Sequence, residues 1–162
     1  YAFAFDNKCM NMDLMRLVLA IHDIGKAIDR STQHEHTLSL VRELWENTPF
    51  TEHEFNLVEV LLRDDHLGSY FQNKYELSDL KEEIVANATE LKMSPSILLQ
   101  YKMILYQCDI ASYTKDAGGL KYLEHMFVYE NGEKAFDEEN GIIAMSEEYA
   151  DRYVNLKESI NE

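Results

Sequence analysis

The sequence predicts an all-α fold, and three observations carry that expectation. Apolar residues recur at three- and four-residue spacing through most of the 162 residues. Only two prolines and six glycines interrupt them, too few for a turn-rich β-sandwich. Capping residues stand where the periodic stretches begin. One small β-hairpin near residues 127–136 is the expected exception.

Asn11 or Asp13 can cap a first helix through Leu14, Met15, Leu17, Val18, Leu19, Ala20 and Ile21. That stretch is apolar nearly all round, as suits a central core helix. Gly25 is placed to end it in a left-handed turn, and a polar loop from Asp29 to Gln33 follows. The next helix puts Leu40, Val41, Leu44 and Trp45 on one face and closes before Pro49. Thr51 and Glu54 spell a capping box ahead of Phe55, Val58, Leu61 and Leu62. Gly68 is expected to break that helix just beyond His66.

Ser78 opens a helix with Leu80, Ile84, Ala88 and Leu91 inward. Ser94-Pro95 marks a restart, because proline suits the first helical position. Ile97, Leu98, Tyr101, Ile104, Leu105 and Cys108 then continue at helical spacing. Beyond Gly118-Gly119, Phe127-Val128-Tyr129 and Lys134-Ala135-Phe136 flank Asn131-Gly132, the favoured pair for a tight hairpin. Ser146 caps a last helix with Tyr149, Tyr153, Leu156 and Ile160 along one side. No repeat, linker or low-complexity segment divides residues 1–162, which read as a single domain of common size. At that length roughly 70% of the unfolded surface can be buried.

Thirty acidic residues stand against 15 basic ones, a net charge of −15. Such a field repels phosphate backbones and anionic membranes, so extended nucleic-acid binding and membrane association are disfavoured. A small anionic substrate is still compatible, because a bound divalent cation inverts the local field. Cys9 and Cys108 are too few and too far apart for a disulfide framework or a thiolate metal site. They read as free thiols in a reducing compartment. With no signal peptide and no apolar run of membrane-spanning length, the expected location is the cytoplasm.

His22 and Asp23 stand together at the end of an apolar helix, where ionisable groups are costly unless paired or bound to metal. An imidazole beside a carboxylate suits Mn, Fe, Co, Ni, Zn or Mg. Lys26, three residues on, puts a cation where a metal-bound phosphate could meet it. The run His22-Asp23-Ile24-Gly25-Lys26, preceded by Leu17-Val18-Leu19-Ala20-Ile21, resembles the central signature of the HD-domain superfamily of metal-dependent phosphohydrolases.

The resemblance implies a helical bundle holding one or two divalent ions through a histidine, a His-Asp pair and a distant aspartate. Two-ion members add further histidines between. It also implies hydrolysis of phosphate esters and anhydrides such as nucleotides, cyclic nucleotides and alarmones. Carried onto this chain, His22 and Asp23 are the pair, and Asp109 in Leu105-Tyr106-Gln107-Cys108-Asp109-Ile110-Ala111 is the distant aspartate. His36 at the head of the following helix and His66 toward the end of the next would join Asp23 around a second ion. His34 competes with His36, but residues two apart on a helix diverge by about 200°. His36 precedes Leu40, Val41, Leu44 and Trp45 at helical spacing and is preferred. Asp23 and Lys26 are the expected catalytic residues. Lys26 and Arg63 are the expected substrate-binding ones, with a salt bridge to an acid as the other role for Arg63. His53 and His125 read as structural or exposed.

One departure stands out: the family begins with a metal-binding histidine upstream, and no histidine precedes His22. Three explanations are open. The helix bearing it lies outside this chain, which opens Tyr1-Ala2-Phe3-Ala4-Phe5 without a methionine; another residue, such as Asp6 or His125, stands in; or the domain is degenerate. The expected function is hydrolysis of a nucleotide or similar small phosphate ester by a metal-activated water. The alternatives are a degenerate HD domain that binds metal or nucleotide as a regulatory module without turnover, and a purely structural helical domain.

Overall fold

A computed structural model of the protein describes residues 11–112 and 126–161. Asp6, Cys9, Gly118-Gly119 and His125 lie outside the described residues. Within them the chain is mostly helical, with two short antiparallel strand pairs.

Helix α1 (Met12–Ile21) begins where Asn11 accepts a hydrogen bond from the Leu14 amide at 3.1 Å. The Asn11 amide in turn donates to Tyr101 Oη at 2.8 Å, and its carboxamide donates to Glu54 Oε1 at 2.6 Å. A short 3-10 turn, Ile24–Ala27, leads to α2 (Gln33–Trp45). Helix α3 (Glu52–Leu62) carries both halves of the Thr51/Glu54 capping box. Helices α4 (His66–Phe71), α5 (Leu77–Glu90) and α6 (Pro95–Ser112) follow, the last opening on Pro95 as expected. After strands β1 (Tyr129–Glu130), β2 (Glu133–Lys134), β3 (Phe136–Asp137) and β4 (Ile142–Ile143), helix α7 (Glu147–Asn161) closes the described chain.

The expected hairpin is β1–β2, with Tyr129 opposite Lys134 and Asn131-Gly132 at its tip. Both tip residues have positive φ, 52° and 83°, as a primed turn requires. The second pair, β3–β4, was not expected. It sets Phe136 opposite Ile143 across a loop that ends on Gly141 at φ 68°.

Three local readings are corrected. Gly25 has no left-handed φ and does not cap α1, which ends at Ile21 with His22 after it. Gly68 does not break α3, which ends at Leu62; it lies inside α4, where its amide donates to Asp65 Oδ1 at 3.0 Å. Helix α5 starts at Leu77 after Glu76, one residue before Ser78.

The apolar residues of all these helices and of the strand region form one contiguous core. Helix α6 is its axis, with Leu98, Leu99, Met103, Ile104, Tyr106 and Ile110 buried. Helices α1, α3, α4, α5 and α7 all pack against it. Gln107, also on α6 and buried, exchanges two 2.9 Å hydrogen bonds with the backbone of Ile143. On α2 the buried stripe is Thr37, Val41 and Trp45, while Leu44 is 51% exposed. That stripe, not the one through Leu40 and Leu44, decides which histidine turns inward. Cys108 is a free, half-buried thiol whose pKa is pushed up by burial. Among the described residues no helix is long and apolar enough to cross a membrane.

Candidate metal centre

The turn after α1 is pressed against α2. The Gly25 amide donates to Thr37 Oγ1 at 3.0 Å. A Cβ at Gly25 would stand 2.1 Å from the Gln33 carbonyl oxygen, so the close approach needs glycine for its size. This contact fixes His22, Asp23 and Lys26 beside the α1 end, next to α6.

There His22 meets Asp109, 87 residues further along the chain, through Nε2 and Oδ1 at 3.2 Å. The other ring nitrogen donates to the Leu19 carbonyl at 2.8 Å, which orients the imidazole. Asp23 Oδ2 lies 3.5 Å from the same Nε2 and accepts from Lys26 Nζ at 2.5 Å. With acceptors at both ring nitrogens, the protonated imidazole is favoured. The hydrogen bond to Asp109 does most to raise the His22 pKa above 6.5; burial opposes it, and the Leu19 carbonyl and the Asp23 and Asp109 charges add to it.

One ligand atom each from His22, Asp23 and Asp109 fall within 4.8 Å of one another. One imidazole and two carboxylates form a donor set that fits a divalent first-row cation or Mg²⁺. The three residues line a cavity of about 260 Å³ shared with Lys26, His34, Asp64, Asp65 and Lys102. Leu61, Leu62, Leu67, Leu105 and Tyr106 form its apolar wall.

The remaining expected site residues fall elsewhere. His36 does not line the cavity; His34 does, because it stands one turn before Thr37 on the buried stripe of α2. The preference for His36 treated Leu44 as inward, and Leu44 faces solvent. The His34 Nδ1–H donates to the Leu62 carbonyl at 3.0 Å, and its Nε2 accepts a long hydrogen bond from Gln33 Nε2 at 3.5 Å. His66 is also absent from the cavity wall. It opens α4 instead of closing α3, its ring stacked on Tyr75 at 4.4 Å and its Nδ1 donating to Glu83 Oε2 at 2.6 Å. Arg63 does not line the cavity either; it donates to Asn87 Oδ1 at 3.1 Å and pairs with Asp64 at 3.6 Å.

A second cluster, Asp64, His66 and Glu83, also brings three ligand atoms within 4.8 Å. Its cation is already present: Lys102 Nζ lies 3.2 Å from Glu83 and 3.7 Å from Asp64. Asp64, Asp65, Glu83 and Lys102 were missed in the sequence. Asp64 and Asp65 looked like a helix end, but they form the break between α3 and α4 that aims them at the cavity. Burial away from water pushes the Asp65 pKa up, the hydrogen bond from the Gly68 amide opposes the shift, and the Asp109 and Asp64 charges add to it. For Lys102 a signal did exist, since it lies seven residues before Asp109 and two helical turns return to one face.

No protein-family model, curated protein or solved structure matches the chain.

Proposed function

We propose that this protein is a metal-dependent phosphohydrolase of HD type that cleaves a small phosphate ester, with a nucleotide as the favoured substrate class. The observation that carries the reading is the convergence of His22, Asp23 and Asp109 at a cavity whose wall also holds Lys26. In this reading those three residues hold a divalent ion. Such an ion supplies Lewis acidity toward a phosphoryl oxygen and acidifies water. Asp23 and Asp109 bring the negative charge that retains the cation, and the Leu19 carbonyl keeps the His22 ring aimed at it. Lys26 shifts its ammonium between Asp23 and the incoming phosphoryl oxygens, offsetting the charge that develops on them. His34 supplies a further imidazole facing the same space.

The test is elemental analysis of purified protein after incubation with Mn, Ni, Zn and Mg, wild type beside Asp23→Ala. About one ion per chain, lost in the variant, is expected. A metal-free wild type would sink the reading. The two α2 histidines provide a sharper contrast: His34→Ala should lower metal-dependent turnover about tenfold or more, and His36→Ala should leave it near wild type. Equal effects of the two changes in a rate assay would contradict the placement of His34.

A pH dependence follows from His22. Its folded pKa is raised, so the stability from its hydrogen bonds is complete below pH 6.5 and fades as pH rises through the folded value. A cation competes with the ring proton for Nε2. Metal affinity should therefore strengthen with pH, by about tenfold per unit below the folded His22 value for one proton released. Mn²⁺ titrations across that range, in two buffers of different ionisation enthalpy, measure both the affinity and the proton released.

A second reading, a binding module that holds metal or nucleotide without turnover, is favoured by the 2.5 Å contact of Lys26 with Asp23. A carboxylate already neutralised is a weaker ligand and a weaker catalyst. Ligand-induced thermal stabilisation with no product formed would select this alternative.

A further inference from the structure

Lys102 is the feature of the cavity that metal binding does not use. It is 6% exposed, in the middle of α6, and it lines the cavity. A lysine so buried is costly unless its ammonium is paired and hydrogen-bonded. Its charge is paired with Glu83 at 3.2 Å and Asp64 at 3.7 Å. Among the described residues the Glu83 carboxylate is the one acceptor within hydrogen-bond distance of Nζ. An ammonium has three N–H groups, and Lys102 directs one to Glu83 while its side chain lines the cavity.

The two carboxylates are not reserved for Lys102. Arg63 also pairs with Asp64 at 3.6 Å, and the His66 Nδ1–H donates to Glu83 at 2.6 Å. Arg63 and Lys102 thus match the charges of Asp64 and Glu83, and an anion approaching Lys102 meets no surplus negative charge from these four groups. Helix geometry sets the spacing. Asp109 lies seven residues on, so its Cα is displaced by about 10 Å along the same face. Both side chains lean toward the helix N-terminus, which preserves that displacement.

We propose that Lys102 binds a second anionic group of the substrate, two helical turns from the Asp109 end of the cavity. The substrate class is then a phosphate ester that carries a further phosphate or carboxylate, with the scissile phosphate at His22, Asp23 and Asp109. The inference rests on the phosphohydrolase reading for the position of that first phosphate. In it Lys102 is a specificity-determining residue, and Glu83, held by His66, positions its ammonium.

The experiment compares adenosine 5′-monophosphate with adenosine 3′,5′-bisphosphate by calorimetric titration in the presence of Mn²⁺, alongside metal analysis of every sample. Wild type should bind the bisphosphate about tenfold tighter or better. Lys102→Met should bring the two affinities together while metal content stays at the wild-type level, and Lys102→Arg should keep part of the difference. Equal affinities in wild type, or a preference that survives Lys102→Met, would overturn the proposal. If Lys102→Met does not fold, the wild-type comparison and Lys102→Arg decide the matter. A wild type that binds no metal refutes the phosphohydrolase reading. A metal-loaded wild type without ligand preference refutes only the role of Lys102.

Discussion

Asp109→Asn is expected to lower divalent-metal affinity by about 100-fold and to abolish detectable phosphoester turnover. The substitution keeps the size of the side chain and removes one negative charge from the group of three ligands. It also replaces the anionic acceptor of the His22 hydrogen bond, the largest cause of the raised His22 pKa, with a neutral one, so His22 should titrate lower in the variant. Two measurements check this, metal content of the dialysed protein and an NMR titration of the His22 ring. Asp109 lies on the most buried helix, so an unfolded variant must be excluded first. Far-UV circular dichroism of Asp109→Asn beside wild type serves for that. Retained metal in a folded Asp109→Asn protein would mean that Asp109 is merely the hydrogen-bond partner of His22.

Gly25→Ala should destabilise the fold by about 3 kcal/mol, at the upper end for overpacking. The added methyl group would lie 2.1 Å from the Gln33 carbonyl oxygen and 2.7 Å from the Thr37 amide nitrogen, and backbone cannot swing away as a side chain can. Relief requires the 3-10 turn to move off α2, stretching the 3.0 Å bond from the Gly25 amide to Thr37. Asp23 immediately precedes that turn and Lys26 lies within it, so metal affinity should fall together with stability. Urea unfolding midpoints of Gly25→Ala and wild type test the first effect. A variant with wild-type stability would show that the turn has slack.

Much of the helical layout is legible in the sequence, because its signals are local. Asn11, the Thr51/Glu54 capping box, Pro95 and Asn131-Gly132 each act within three or four residues, and each appears where its side-chain chemistry places it. The β3–β4 pair had weaker cues: two-residue strands have no alternation to read, and only Asn140-Gly141 hinted at a turn. Gly25 was misread because a glycine kept for lack of room looks the same in sequence as one kept for its φ. Of the residues singled out in the sequence, His22, Asp23, Lys26 and Asp109 line one cavity. His34, Asp64, Asp65 and Lys102 depend on facts that no local pattern contains. The exposure of Leu44 rotates the inward stripe of α2, and the end of α3 at Leu62 turns two aspartates toward the cavity. His66 shows the same limit from the other side, since its placement at the head of α4 follows from that break.

The bond pair between Gln107 and Ile143 has a consequence for amide exchange. A side-chain carboxamide replaces a neighbouring strand there, closing both the N–H and the C=O of Ile143 inside the core. Pulling β4 away would strand two polar groups on Gln107 without solvent, so the strand cannot peel off α6 at little cost. Local opening of the segment is thereby linked to the stability of the helix that bears Asp109. The Ile143 amide should thus exchange with deuterium as slowly as the interior amides of α6, even though it belongs to a strand of only two residues.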